Sequence, residues 1–439
     1  MRKTRLFLPV YFALSFLTPN LRAKRRREVK ELARIKAVIG NTLKTPLYDS
    51  KKPDKSVLVM SLGYVRFIAQ EVILRKSFEL AGYRCQVIIP PDISVIQAYR
   101  QLGSDKLVFM DHYQGSEQRK GVRMVNDCHT IEDVIDLKHD GVRFGKYAVS
   151  TLMRKTRSGS LDLSDKVVRK QLAGAIDNSL QTIKTAQAVL QKTKPNAIVL
   201  TDRGYTPSGE FFDICIQRGI PAFTWNVAHR NDSLMLKRYS LSNADAHPSS
   251  LSKKTWEKIK KMPWSMKKSQ RVLKELKQCY KSGEWYGEVG TQTNTHDAKK
   301  KMVLKGLRIN PPKKTIAIFP HIFWDATFFW GKDLFESYEQ WFIETIKIAC
   351  KNRDVNWIVK VHPANIVKNI RDGVHAEHSE LTTIKQKIGK LPDHVKLIKA
   401  NTKISTFSIL QTVDACITVR GTIGIEAACL GLPVLTAVS

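Results

Sequence analysis

The sequence predicts an α/β protein made of two Rossmann-like domains, and three observations carry that expectation. Short unbroken apolar runs, such as Ser56–Met60 and Thr315–Phe319, read as strands buried on both faces, as in a parallel sheet. Helical stretches separate these runs, which is the pattern of the βαβ unit. The alternation also occurs twice, on either side of a lysine-rich and loop-rich stretch.

Taken in order, Ser56–Met60 is the first strand, and Arg66–Leu80 has helical spacing with Phe67, Val72, Leu74 and Phe78 apolar. Gly82 ends that helix. Cys85–Ile89 is the next strand, stopped by Pro90 and Pro91. The stretch from about Leu102 to Arg169 is less regular and rich in charge, and Leu172–Lys192 reads as a long amphipathic helix. The strand Ala197–Leu200, the polar loop Thr201–Glu210, the helix Phe211–Gln217 and the strand Ala222–Val227 form a second βαβ. Lys253–Lys281 is expected to be helical and Gly283–Thr295 a loop. The second half reads as strand Thr315–Phe319, helix Leu334–Lys351, and strands Trp357–Val361 and Val395–Ile398. It closes with strand Ala415–Val419, a helix with Glu426 on its first turn, and strand Pro433–Thr436. The expected division is 1–30, 31–250, 251–314 and 315–439, with 251–314 as a helical and loop-like linker.

The chain has 439 residues, with 73 Lys and Arg against 40 Asp and Glu, a formal charge of +33. Such a field attracts polyanions: nucleic acid, anionic lipid or phosphorylated substrates. No zinc-finger, RNA-recognition or helix-turn-helix pattern accompanies it, and aromatics are not concentrated among the basic runs, so no specific nucleic-acid partner is expected. The seven scattered cysteines contain no CxxC pair, which suits reduced thiols of a cytoplasmic protein and predicts no structural metal site. At the amino end, Leu6–Leu17 is apolar and flanked by Arg2, Lys3, Arg5 and by Arg22, Lys24, Arg25, Arg26, Arg27. It is too short to span a bilayer. An interfacial anchor with a polybasic collar fits better than a secretory signal; a docked or frayed first helix is the alternative.

The closing segment carries the chemistry. A turn of Arg420, Gly421 and Thr422 between a strand and a helix offers unpaired N–H groups and the positive end of a helix dipole, which suit a phosphate. The Glu426 carboxylate could accept hydrogen bonds from sugar hydroxyls. Two further strand ends carry polar groups, Trp324-Asp325 and Lys360-Val361-His362-Pro363. In a parallel sheet all three face one crevice. Lys360, His362 and Arg420 would then serve a phosphate, with Thr422 adding a hydroxyl. The competing readings are a strand-end histidine for His362 and a helix N-cap before Thr327 for Asp325.

Phe319-Pro320-His321-Ile322-Phe323-Trp324-Asp325-Ala326, Val359-Lys360-Val361-His362-Pro363, Ser405-Thr406 and the run Arg420 to Val434 resemble the capsule polysaccharide biosynthesis and export glycosyltransferases. These are distant relatives of bacterial sialyl- and 3-deoxy-manno-octulosonate transferases. Tyr205–Gly209 and Thr224–Arg230 are similar too, and the resemblance covers most of Lys55–Ser439. It implies the GT-B arrangement, two Rossmann-like domains facing a cleft, with the acceptor on 31–250 and a nucleotide-sugar donor on 315–439. The implied substrate-binding set is Trp324, Asp325, Lys360, His362, Ser405, Thr406, Arg420, Gly421, Thr422 and Glu426. No cofactor beyond the nucleotide-sugar substrate is implied and no metal, in keeping with the lack of an Asp-x-Asp at a strand end. An inverting reaction needs a general base on the amino-terminal side. Asp202, Glu210 and His229 are the candidates; turn or cap roles for the first two and a loop role for the third are the alternatives. Members of the family usually continue with further helices, so the carboxyl-terminal domain reads as shortened or partial.

The expectation is therefore a peripheral enzyme on the inner face of the cell membrane, with a nucleotide sugar, a glycan or lipid-linked glycan acceptor, and an anionic membrane surface as partners. Two other readings keep the fold: a nucleotide-sugar 2-epimerase, and a non-catalytic protein that binds polyanions or membranes.

Overall fold

The computed structural model describes residues 19–39, 55–90, 92–104, 106–113, 120–228, 233–282, 298–309, 312–325, 327–329, 334–363, 365–366 and 379–437. The expected apolar anchor at Leu6–Leu17 and the candidate base His229 lie outside these residues. The chain divides into two compact units, Met1–Leu152 with Asp162–Asn226 and Leu236–Ala244, and Met153–Leu161 with Val227–Met235 and Asp245–Ser439.

Helix α1 (Pro19–Ile39) precedes the first sheet. That sheet is built from β1 (Ser56–Met60), β2 (Arg84–Ile89), β3 (Leu107–Phe109), β4 (Ala197–Leu200), β5 (Ala222–Val227) and β6 (Leu234–Tyr239). Its order is β3-β2-β1-β4-β5-β6, and the pairs among β1 to β5 are parallel. This is the strand order of the Rossmann fold. All residues of β1 and β4 are buried, as expected for central strands covered by helices on both faces. The helices are α2 (Val65–Leu80), α3 (Ile93–Gln101), α4 (Gly121–Asn126), α5 (Ile131–Ile135), α6 (Phe144–Thr156), α7 (Lys166–Thr193) and α8 (Ser208–Gln217). The stretch expected to be irregular contains α4 to α6. Two of these helices are too short to show a period, and the Thr130–Asp133 capping box that starts α5 satisfies its first donors.

The second unit repeats the design. It holds β7 (Thr315–Phe319), β8 (Asn356–Lys360), β9 (Val395–Ile398), β10 (Ala415–Thr418) and β11 (Val434–Thr436), parallel throughout in the order β11-β10-β7-β8-β9. Its helices are α9 (Lys253–Lys260), α10 (Met266–Ser282), α11 (Lys300–Leu307), α12 (Tyr338–Lys351), α13 (Ser379–Thr383), α14 (Thr406–Leu410) and α15 (Thr422–Cys429). Alternate residues of β8 feed two cores. Trp357 and Val359 join Phe323, Trp341 and Phe342, whereas Ile358 joins Tyr280, Phe407 and Leu410. The fold class is therefore as expected: two Rossmann-like α/β units.

Several boundaries differ for physical reasons. The lysine-rich stretch is two helices, because Pro263 lacks the N–H that a continuous helix would need. It belongs with the second unit, since Tyr280 of α10 is buried in that unit's core. Helix α12 begins at Tyr338 and not at Leu334, because the Ser337 hydroxyl accepts from the Gln340 N–H at 3.1 Å and caps it there. Asp325 stands before a turn and not a helix at residues 327–329, and its N–H donates to the Ile322 carbonyl at 3.2 Å. All seven cysteines are free thiols. Among the described residues, no helix is long and apolar enough to cross a membrane.

Close packing gives one direct test. A Cβ on Gly209, in the first turn of α8, would lie 2.3–2.6 Å from ring atoms of the fully buried Tyr147. Gly209→Ala is expected to cost about 1–3 kcal/mol by urea denaturation. A variant as stable as the parent would show that the two helices do not meet this closely.

Candidate functional site

In a sheet of this order, the strand direction of growth reverses beside the first strand, and the crevice outside the carboxyl ends at that point is where ligands bind. In the second unit the reversal lies between β7 and β10. The Thr418 hydroxyl donates to the Phe319 carbonyl at 2.8 Å, tying the two strand ends together. Beyond them the structure brings together His321, His362 and Gly421. The His321 ring lies 4.9 Å from the ring of Tyr338 and 6.3 Å from that of His362, and a Cβ on Gly421 would be 3.9 Å from His321 Cδ2.

Gly421 is the N-cap of α15, with φ 149 and ψ 161 and no side-chain cap. That backbone region is essentially open to glycine alone. The exposed first turn of α15 thus begins with no side chain accepting from its amides, which is the arrangement that receives an anion. Thr422, the first helical residue, is exposed, and its hydroxyl hydrogen-bonds to Glu426.

The loop that carries His362 is held from below. Glu380 of α13 has no exposed surface. It accepts from the His362 N–H at 3.3 Å and from the Asn365 amide at 3.0 Å to each carboxyl oxygen. Burial pushes its carboxyl above the usual range. Lys360 is also buried, its ammonium donating to the Val361 carbonyl at 3.1 Å. Burial pulls that ammonium down to about 8, against the opposing pull of Glu380.

Other expected site residues stand elsewhere. Glu426 lies on the second turn of α15, not the first, and is buried. It accepts the Tyr280 hydroxyl as well as that of Thr422, and burial raises its carboxyl. The Tyr280 ring in turn packs 5.1 Å from Phe407, so Glu426 faces the core and not the strand edge. Ser405 is the buried cap of α14, accepting from the Ser408 N–H at 3.0 Å, and Thr406 is buried beside it. Trp324 is buried under the Arg157 guanidinium, 4.3 Å from its ring centroid. Asp325 and Arg420 are half-buried.

The first unit has its reversal between β1 and β4. Asp202 follows β4, is exposed, and has φ 51, a left-handed conformation that Asp tolerates better than most residues. Glu210 has no exposed surface; it accepts from the Thr206 hydroxyl at 2.7 Å and from that of Ser179. An acceptor hydroxyl has no route to it, so its role is to hold the β4–α8 loop. Glu71 does the same for the β1–α2 loop, accepting from the Ser61 hydroxyl at 2.8 Å, the Leu62 N–H at 2.9 Å and the Tyr99 hydroxyl. Burial pushes both Glu71 and Glu210 up to about 7.

His321, Glu71 and Glu380 were not among the sequence candidates. His321 stands inside a noted motif. Glu71 betrays itself as a lone carboxylate next to the apolar positions Ile68 and Val72. Glu380 has no comparable signal.

No protein-family model matches the chain, and no curated protein matches it. Solved structures similar to it include the KpsC β-Kdo 2,4-transferase of Thermosulfurimonas dismutans, at 13% identity over 55% of this chain and 68% of that one, with a TM-score of 0.30. A UDP-GlcNAc 2-epimerase from Methanocaldococcus jannaschii is 10% identical over 87% of this chain and 82% of that one, with a TM-score of 0.23. An S. aureus MnaA–UDP structure is 10% identical over 87% and 79%, with a TM-score of 0.29. Likeness at this level carries no weight for family or activity.

The buried carboxylates make stability depend on pH with a definite sign. The unfolded chain releases the Glu71 proton near 4.5, whereas the native state keeps it to about 7. Stability from this group is therefore full below about 4.5 and is lost as pH rises to about 7, by roughly 3 kcal/mol. Glu71→Gln lacks this dependence. Urea denaturation is expected to show the parent's advantage over the variant shrinking between pH 5 and pH 8. An advantage that stays constant would show that Glu71 is ionised in the native state throughout.

Proposed function

We propose that this protein is a glycosyltransferase that moves a sugar from a nucleotide-sugar donor to a growing capsule-like or cell-surface polysaccharide. The observation that carries the reading is Gly421, in a glycine-only conformation at the reversal of the second sheet, opening the first turn of α15 beside the His321 ring. In this reading the amides of that turn and the imidazoles of His321 and His362 hold the donor diphosphate. Charge grows on the leaving nucleotide as the bond from the anomeric carbon to phosphate oxygen breaks, and fixed donors stabilise it there without reorganising. The acceptor hydroxyl attacks the anomeric carbon and gives its proton to a general base. Asp202 is the base we assign, as the exposed carboxylate at the reversal of the first sheet.

Calorimetric titration with cytidine, uridine and guanosine diphosphates and their sugars tests the donor site. Binding is expected to be specific for one base and little weakened by salt. His321→Ala and His362→Ala should each reduce affinity about tenfold or more, the value of a hydrogen bond to a charged group, with unchanged circular dichroism. Undiminished affinity in both folded variants would remove the donor site. Turnover of a nucleotide sugar without any acceptor would assign a 2-epimerase instead.

Asp202→Asn separates binding from chemistry. The general-base role predicts a fall in kcat of about 10²-fold or more with donor affinity preserved. A kcat equal to the parent's would move the base to another residue.

A further inference from the structure

The segment from Leu251 to Lys268 stands in solvent almost entirely, with only Glu257 half-buried. Leu251, Trp256, Ile259, Met262, Trp264 and Met266 are 52%, 50%, 40%, 58%, 69% and 75% exposed. Aliphatic and indole surface of this size, gathered within 16 residues, marks an interaction surface and not scattered surface residues. Between Leu251 and Ser282 the sequence carries ten lysines and one arginine against two glutamates. Two tryptophans thus stand inside a strongly basic helical stretch, although aromatics are not concentrated among the basic runs of the chain as a whole.

The turn between α9 and α10 is held in shape by its own bonds. The Trp264 indole N–H donates to the Ser269 hydroxyl at 2.7 Å, and the Lys268 ammonium donates to the Pro263 carbonyl at 2.7 Å. The Ser252 hydroxyl caps α9 through the Thr255 N–H at 3.2 Å. The apolar side chains are therefore presented by an ordered helix–turn–helix element with lysines around them.

We infer that α9, the Pro263 turn and the start of α10 dock this protein on an anionic lipid bilayer. Tryptophan prefers the headgroup level, and the Met, Ile and Leu side chains reach the acyl boundary. The lysines keep their ammonium groups among lipid phosphates while their stems lie along apolar surface. A second copy of the chain would bring the same eleven cations against each other. Nucleic acid offers faces for the tryptophans to stack on but nothing to cover Leu251, Ile259, Met262 and Met266. The inference rests on no part of the sugar-transfer reading.

Co-sedimentation of the full chain with vesicles tests it, using phosphatidylcholine alone and phosphatidylcholine mixed with phosphatidylglycerol. The parent is expected to bind only the anionic vesicles, and to be released by raised salt. Trp256→Ala/Met262→Ala and Lys258→Gln/Lys260→Gln/Lys261→Gln should each weaken binding about tenfold or more. Because every substituted residue is exposed, thermal melting should stay at the parent's temperature. Vesicle binding that is unchanged in both variants would overturn the inference, as would equal binding of the parent to neutral vesicles. Loss of oligonucleotide affinity, or of self-association, without loss of vesicle binding would reassign the surface and overturn it too.

Discussion

A buried carboxylate that gathers the donors of a strand-to-helix loop recurs at the carboxyl edges of both sheets, and the form of those edges depends on it. Glu71 collects the β1 loop, Glu210 the β4 loop and Glu380 the loop after β8. Loops at these edges lack the ladder bonds of the strands, so a single acceptor that takes two or three donors replaces several scattered contacts. Each bond contributes about 1 kcal/mol net, but removing the acceptor leaves buried donors unsatisfied at a larger cost. Burial opposes ionisation in all three. The three groups that hold the loops therefore bind their protons more tightly than a solvated carboxyl does.

That arrangement explains which parts of the molecule could be read in the sequence. β1, β4 and β7 are found where their apolar runs place them, because a central parallel strand needs apolar residues on both faces. β3 has only three residues, and β6 is an outer strand carrying Lys237 and Arg238, so neither produces such a run. The turn at Gly421 and the loop at His362 were legible because strand, small or polar turn, and helix follow one another locally. The partners of Glu426 and Lys360 were not. Glu426 is set by Tyr280, 146 residues earlier. Whether Lys360 points outward or inward is decided by packing around β8, on which residue type is silent.

The positive charge is divided in a way the composition hides. At the carboxyl edge of the second sheet Lys360 is buried, and the first turn of α15 opens without a side-chain cap. A dense group of cations sits instead on α9 and α10. The two act over different ranges. Charges on an exposed helix attract from a distance but are screened beyond about 8 Å at physiological salt, whereas aligned amides act only at contact and keep their strength there.

These two features meet at one side chain. Glu426 takes the hydroxyl of Tyr280, near the end of the lysine-rich α10, and that of Thr422, the first residue of α15. The same carboxylate therefore fixes where α10 lies against α15 and how the first turn of α15 is set behind Gly421. Removing it from solvent raises its proton affinity, and two hydroxyl donors offset part of that cost. With both hydroxyl donors in place, Glu426 contributes to the edge by orienting the turn that precedes it.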